Sequence, residues 1–143
     1  MRLLAFRKHL EKNTKEKEKD TKEIEALARS LFSALKDQTD PVKKGELLDE
    51  LRELHRQHPG SAEFTALLAK GLFNSLNNQS TPEKKEELLD ELRELYRDNM
   101  RNEIVVEMLA NGLVDTLNVC SNPEKVRSLL DEFHKLHREA RWW

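Results

Sequence analysis

The stretch Gly45-Glu-Leu-Leu-Asp-Glu-Leu-Arg-Glu-Leu-His55 decides the fold, because it occurs three times in the chain. It recurs as Glu86-Glu-Leu-Leu-Asp-Glu-Leu-Arg-Glu-Leu-Tyr96 and, with more substitutions, as Arg127-Ser-Leu-Leu-Asp-Glu-Phe-His-Lys-Leu-His137, each copy 41 residues after the one before. A fixed period of roughly 20–50 residues is typical of repeat proteins. The repeat therefore predicts an all-α fold, a right-handed α-solenoid of antiparallel helix pairs with an N-terminal capping helix.

The composition agrees with exposed helices that carry narrow apolar stripes. Of 143 residues, 36% are charged and 37% are apolar, with four Gly and four Pro. The formal net charge of −2 argues against general attraction to nucleic acid, although residues 1–22 hold eight Lys/Arg against four Asp/Glu. Cys120 is the only cysteine, so a reducing, cytoplasmic location is predicted. No stretch has the apolar length of a membrane span, and the N-terminal apolar run is too short for a signal peptide.

The repeat also sets the domain boundaries. Residues 1–20 are predicted to form a short N-terminal helix, a degenerate half-repeat, and then a charged segment that is either linker or helix. The remainder, residues 21–143, is predicted to form three helix-pair repeats, at about 21–61, 62–102 and 103–143.

Each repeat is predicted to hold a first helix, A, and a second helix, B. A cap residue followed by proline signals the start of every B helix: Asp40-Pro41, Thr81-Pro82 and Asn122-Pro123. The B helices are then expected at about Pro41–Gln57, Pro82–Asp98 and Pro123–Arg141. The first A helix is expected from about Thr21 to Asp37, with a capping box formed by Asp20 and Glu23. The junction at Asn99–Asn102 has no Pro-Gly breaker, so its boundary is expected to be softer than that at Pro59-Gly60.

The apolar positions of the A helices follow the helical period of about 3.6 residues. They are Ile24, Leu27, Ala28, Leu31 and Leu35, then Thr65, Leu68, Ala69, Leu72 and Leu76, then Val106, Leu109, Ala110, Leu113 and Leu117. The recurring alanine predicts close approach of a neighbouring helix. In the B helices, Leu48, Leu89 and Leu130 share one repeat position, and each is predicted to be buried between helices.

Repeated helix pairs, a Leu-Ala step near the middle of each A helix, and a proline closing the first repeat at Pro59 resemble the tetratricopeptide repeat family. The resemblance covers roughly residues 21–141. The chain departs from the family in its period, 41 instead of about 34, in having Ala28, Ala69 and Ala110 where the family often has glycine, and in lacking the later closing prolines. Other two-helix solenoids therefore stay open. The resemblance implies an interaction scaffold whose concave surface is lined by A helices, although fold alone does not fix function.

That implied concave face supplies the candidate binding residues. They are Glu25, Arg29, Phe32, Ser33, Lys70, Phe73, Asn74, Glu107, Asn111 and Asp115. Cations, amides and aromatic rings together suit an extended or helical peptide. The alternative is that these positions are the solvated faces of ordinary helices.

Other chemistry finds little support in the sequence. Adjacent Asp-Glu pairs in the B helices diverge by roughly 100° around the helix axis, so they do not form an acid–base dyad. The pairs His55/His58 and His134/His137 have a spacing that one metal ion can bridge, but neither has an obvious third ligand. No phosphate loop, nucleophile elbow or zinc-protease motif occurs. We expect no catalytic residues, no metal and no cofactor.

The C-terminal end offers a second candidate surface. Val126 stands where the earlier repeats have Lys44 and Lys85, an apolar residue at a position expected to be solvated, and the chain ends in Trp142 and Trp143. We expect Val126 and the two tryptophans to contact a second copy in a homodimer. Two rivals to the binding module therefore remain: a homo-oligomeric assembly subunit, and a tether that reaches an anionic surface through the basic N-terminal segment.

Overall fold

A computed structural model describes residues 21–140, and within that part every regular element is an α-helix. The helices are α1 over residues 21–37, α2 over Pro41–Gln57, α3 over Ala62–Asn77, α4 over Pro82–Asp98, α5 over Glu103–Val119 and α6 over Pro123–Glu139. The prediction of an all-α fold is confirmed. The predicted N-terminal helix, the Asp20 cap, and the contacts of Trp142 and Trp143 lie outside the described residues.

The three Pro-marked helix starts are confirmed with their capping chemistry. The side chain of Asp40 accepts a hydrogen bond from the Val42 amide at 3.1 Å, and Thr81 accepts one from the Lys84 amide at 3.4 Å. Asn122 accepts one from the Glu124 amide at 3.0 Å. These bonds satisfy backbone donors that have no partner inside the helix. Each following proline takes a first-turn position, where no amide hydrogen is needed.

Asn102 caps α5, because its side chain accepts hydrogen bonds from the amides of Ile104 and Val105. One helix end differs from the expectation. Helix α6 ends at Glu139, two residues before the predicted end. There Ala140 leaves helical geometry, with φ −96° and ψ 55°, and its methyl group is buried in the core.

The helices form two sets that alternate along the chain. Consecutive helices pack together from α2 to α6, and α3 also packs against α5. We call α1, α3 and α5 the A helices and α2, α4 and α6 the B helices. Salt bridges join α2 to α4 and α4 to α6. Each repeat therefore contacts the next through both of its helices.

Small residues set how closely A and B helices approach. Ala28, Ala69 and Ala110 are all buried, as predicted. At Gly71, an added Cβ would lie 3.1 Å from the Leu51 Cδ1 and 3.2 Å from the Leu48 Cδ1. At Gly112, it would lie 3.1 Å from the Leu89 Cδ1 and 3.3 Å from the Leu92 Cδ1. The glycines of α3 and α5 therefore make room for the leucines of the preceding B helix.

The burial predicted from repeat position is wrong at the two ends of the described stack. Leu48 and Leu89 are buried as predicted, but the side chain of Leu130 is 41% exposed. Leu27 is 51% exposed, although its equivalents Leu68 and Leu109 are buried. The reason is that an inner repeat has a neighbour on each side. Leu130 follows the last A helix of the described chain, and Leu27 lies on the first.

No helix within residues 21–140 combines the length and the apolar character needed to cross a lipid bilayer.

Candidate functional site

The predicted binding residues of α1 are engaged with α3. The Arg29 guanidinium donates from Nε to Glu63 Oε1 at 2.6 Å and lies 3.7 Å from Glu25 Oε2. The hydrogen bond and charge of Glu63 raise the pKa of Arg29 above its ordinary value. Arg29 and Glu25 therefore form an exposed ion-pair cluster that links two A helices, and Glu63, which was not among the predicted residues, belongs to it.

Lys70 and Phe32 form a second link between α1 and α3. The Lys70 Nζ lies 5.9 Å from the centroid of the Phe32 ring, within the range of a cation–π contact. Both side chains are half-buried, and so is Phe73 on the same helix as Lys70. The ammonium group thus lies at the surface with apolar support beneath it.

The exposed face of α5 differs, because its polar groups have no partner. Glu107 and Asn111 are exposed and, within the described residues, neither side chain makes a hydrogen bond or an ion pair. Val114 lies one turn further along the same face and is 45% exposed. On α3, the Asn74 side chain accepts a hydrogen bond at 3.4 Å from Nδ2 of Asn78, the residue that follows the helix. Ser33 on α1 is exposed.

Asp115 has a structural contact that the sequence interpretation missed. Lys85 of α4 is 2% exposed, and its ammonium group donates to Asp115 Oδ2 at 2.5 Å and to the Leu76 carbonyl at 3.1 Å. A buried charge is tolerated only when it is paired and hydrogen-bonded. The Asp115 carboxylate therefore neutralises a buried cation that links α3, α4 and α5.

The same contact corrects the interpretation of Val126. Its repeat equivalents, Lys44 and Lys85, are buried and not solvated. Burial lowers the pKa of Lys44, because a desolvated ammonium is disfavoured. Val126 is half-buried, so it replaces one largely buried side chain with another. Long lysine stems are commonly buried while the charged head finds a partner, and the sequence alone did not name that partner.

The B helices carry a repeated ion-pair ladder. Arg52 of α2 donates to Glu91 of α4 at 2.7 and 2.9 Å. One repeat later, Arg93 of α4 donates to Glu132 of α6 at 2.8 Å. Partial burial alone would lower the pKa of each arginine, but the hydrogen bonds and charges of these carboxylates outweigh it and raise the pKa. In the sequence, the recurrence of these charges 41 residues apart is the signal for a contact between repeats.

His55 and Tyr96, which share a repeat position, each contact a polar side chain of the next repeat. His55 Nδ1 lies 3.3 Å from the Thr65 hydroxyl, which itself donates to the Ser61 carbonyl at 2.9 Å. Because the Thr65 hydroxyl proton is already donated to Ser61, we assign a proton to His55 Nδ1, which donates it to the Thr65 oxygen. Burial lowers the pKa of His55, although the charge of Asp98 opposes the shift. Tyr96 donates to Glu139 at 2.8 Å, and burial together with that carboxylate raises its pKa to about 12.

Neither a metal cluster nor an enclosed ligand cavity marks the described surface. No group of three or more His, Cys, Asp and Glu within residues 21–140 has metal-binding geometry. An open depression of about 830 Å³ lies between the connections before α3 and before α5, and one of about 350 Å³ lies between α4 and α6. Neither depression is lined by a predicted binding residue.

Comparison with family models, curated proteins and solved structures finds no significant match, and the surfaces described above are therefore the basis for assigning a function.

Proposed function

We propose that this protein is an interaction module, an α-solenoid of antiparallel helix pairs similar to tetratricopeptide repeats, which binds a peptide or helix of another protein on the surface of the A helices. The observation that carries the proposal is the exposed face of α5, where Glu107 and Asn111 make no hydrogen bond or ion pair within the described residues. Arg52 and Arg93 of the B helices are instead paired with carboxylates of the next B helix.

On the B side, two arginines are engaged in ion pairs between repeats. Arg52 and Arg93 each bind a carboxylate of the next B helix and an aspartate of their own helix. A binding partner that used these arginines would first have to break those pairs. The B helices are therefore suited to holding the repeats together.

On the A side, the available groups lie on α3 and α5. Lys70 offers a cation, Glu107 a carboxylate and Asn111 an amide, with Phe73 and Val114 as apolar neighbours. An amide side chain can bond both the N–H and the C=O of a peptide backbone. This mixture favours a peptide that alternates charged and apolar side chains. Arg29 and Asp115 contribute less, because each already has an intramolecular partner.

A charge-exchange pair tests the proposal. The test variant Lys70→Glu with Glu107→Lys reverses both charges on the A surface while keeping the net charge. The control Lys84→Glu with Glu87→Lys makes the same exchange on α4, where both side chains are exposed. Proteins captured by each form are quantified by mass spectrometry, with helicity and melting measured in parallel.

We expect at least one protein to be retained by the native chain and by the α4 control and to be lost from the A-surface variant. That protein is then measured directly by calorimetry against the three purified forms. The same captured set for all three forms, with folding intact, would show that the A surface is not the binding site.

A further inference from the structure

The contact that joins one repeat to the next has two halves, and each half recurs unpaired at one end of the described chain. Inside the chain, leucines of a B helix meet a glycine of the following A helix. Leu48 and Leu51 of α2 surround Gly71 of α3, and Leu89 and Leu92 of α4 surround Gly112 of α5 in the same way. The preceding A helix contributes Leu35 to the first contact and Leu76 to the second.

The C-terminal end carries the leucine half of this contact. Leu117, Leu130 and Phe133 occupy the positions of Leu76, Leu89 and Leu92, one repeat later. Leu76, Leu89 and Leu92 are fully buried, whereas Leu117 and Phe133 are half-buried and Leu130 is 41% exposed. This described unit therefore keeps apolar side chains at its surface.

The N-terminal end of the described stack carries the other half. On α1, Ser30 occupies the position of Gly71 and Gly112, and it is exposed and small. Leu27 occupies the position of Leu68 and Leu109, which are buried. If a B helix of another copy packed on α1 in the geometry seen between the inner repeats, it would contact a small residue and a leucine, as it does at those repeats.

Some of the exposed apolar side chains lie at these two ends. Six large hydrophobic side chains are exposed within residues 21–140, and Leu27, Val114 and Leu130 are three of them. Val114 is the repeat equivalent of Phe32, whose ring contacts the next A helix through Lys70. All three therefore stand at positions that face a neighbouring repeat when one is present.

The B-helix ladder has a matching pair of open ends. His134 of α6 stands at the position of Arg52 and Arg93, and Glu50 of α2 stands at the position of Glu91 and Glu132. Both His134 and Glu50 are exposed. A copy stacked in the internal register would bring a donor and a carboxylate together, as at the two internal steps of the ladder.

We propose that the chain associates with itself head to tail, with α1 and α2 of one copy continuing the helix stack beyond α5 and α6 of another. A second copy is favoured over a different protein because it supplies the small residue, the leucine and the carboxylate in one register. A symmetric dimer through α6 would cover Leu130 but leave Leu27 and Glu50 unpaired. A head-to-tail contact is heterologous and does not close, so assembly continues beyond a dimer. This contact shares Val114 with the proposed A-helix binding surface, but the variants that test it change neither Lys70 nor Glu107.

Two blocking variants test the geometry in the full-length chain. Leu130→Glu places a charge on the C-terminal half of the contact, and Leu27→Glu places one on the N-terminal half. Both positions are exposed in the single chain, so circular dichroism should show unchanged helicity. In sedimentation velocity at tens of micromolar, the native chain should form a concentration-dependent series of species. Each variant alone should be monomeric, with association weakened at least about tenfold.

Mixing the two variants gives the decisive measurement. Each variant retains one open half, so an equimolar mixture should form a dimer and stop there. A native chain that stays monomeric would overturn the proposal, whatever covers the ends. A Leu27→Glu variant that remains dimeric by itself would overturn it in favour of a symmetric contact through α6.

The charge pair supplies a gain-of-function variant. His134→Arg restores the residue found at both inner repeats and should tighten self-association by about threefold to tenfold, as expected for a charge-assisted contact to a carboxylate. Glu50→Gln in the same background should abolish that gain. If His134→Arg still tightens self-association when Glu50→Gln is present, residues 134 and 50 are not in contact between copies. That result would contradict the head-to-tail register.

Discussion

Lys85 and Asp115 form an ion pair in which the lysine is buried between helices. The ammonium group lies deep between three helices and depends on the Asp115 carboxylate and the Leu76 carbonyl. In the first repeat, Lys44 has the same position and Asn74 stands where Asp115 does. The repeat position therefore tolerates a lysine in both units, but only the second unit gives it a carboxylate.

Removing that carboxylate should destabilise the protein. Asp115→Ala leaves Lys85 buried with the Leu76 carbonyl as its remaining acceptor, and we expect a loss of about 2–3 kcal/mol in the free energy of unfolding. Lys85→Met in the same chain should recover most of the loss, because the uncompensated charge is gone. Urea unfolding measures both. A loss below about 0.5 kcal/mol for Asp115→Ala would show that the carboxylate is not needed by Lys85, and its place in a partner-binding surface would then be open.

His55 should make stability depend on pH in the weakly acidic range. Burial lowers its pKa in the folded chain, so the unfolded chain takes up a proton first as the pH falls. The stabilising contribution of the neutral ring is complete above the ordinary pKa of about 6.5. It is lost as the pH falls from that value through the lowered pKa of the folded chain. His55→Tyr, which introduces the residue of the second repeat, should flatten the unfolding free energy over this range. Equal slopes for the two proteins would contradict the burial effect.

At the scale of a helix, the position of a repeat in the stack decides how much a leucine contributes to the free energy of unfolding. Leu89 is fully buried between α3, α4 and α5, so Leu89→Ala should cost about 2–5 kcal/mol. Leu130 has the same repeat position but is 41% exposed, and Leu130→Ala should cost under about 1 kcal/mol in the monomer. Denaturant unfolding at low protein concentration compares the two. Equal losses would mean that Leu130 is covered within the single chain.

The glycines allow a second comparison between helices. Gly45 lies in α2 with no atom within 4 Å of an added Cβ, so Gly45→Ala should stabilise the protein by about 0.5–1 kcal/mol. Gly112 lies in α5 against Leu89 and Leu92, and there the same change forces those side chains to move. We expect Gly112→Ala to be less stable than Gly45→Ala by at least about 1 kcal/mol. Thermal and urea unfolding of both variants decide whether the close approach restricts this position.

Local signals explain why the helix boundaries were predictable. A capping side chain and a proline act within one turn, so Asp40-Pro41 and Thr81-Pro82 define helix starts without knowledge of the fold. Asn102 carried an equally local signal, which was overlooked for want of a proline. Burial is different, because it depends on neighbours distant in sequence. The period therefore predicted the buried Leu89 correctly and the exposed Leu130 wrongly.

The candidate surface was only partly accessible to sequence reasoning for the same reason. The period identified which side chains share a face, and Lys70, Glu107 and Asn111 are indeed at the surface of their helices. It could not show that Glu63 lies beside Arg29, 34 residues away, or that Asp115 faces a buried lysine. Such pairs depend on how neighbouring helices align, and no motif in one helix encodes that alignment.

Across residues 21–140, the contacts between helices run between neighbours in the stack. Helix α4 packs against both α3 and α5, while α6 packs closely on α5 and reaches α4 through Glu132 and Glu139. Stability in such a stack is approximately a sum over units and their interfaces. Inner and outer helices therefore need not be equally stable.

This uneven packing should appear as different rates of amide hydrogen exchange in different helices. Helix α4 is packed between α3 and α5, whereas α6 packs closely only on α5 among the described helices, so α6 should open and exchange its amide hydrogens at a lower free energy. In deuterium exchange of the monomer, we expect α6 to lose protection earliest and α3, α4 and α5 to keep it longest. Uniform exchange across these helices would mean that the described chain opens as one cooperative unit. If α6 exchanges first, the last described helix spends measurable time detached from α5, and it then offers a partner or another copy a surface that the closed stack hides.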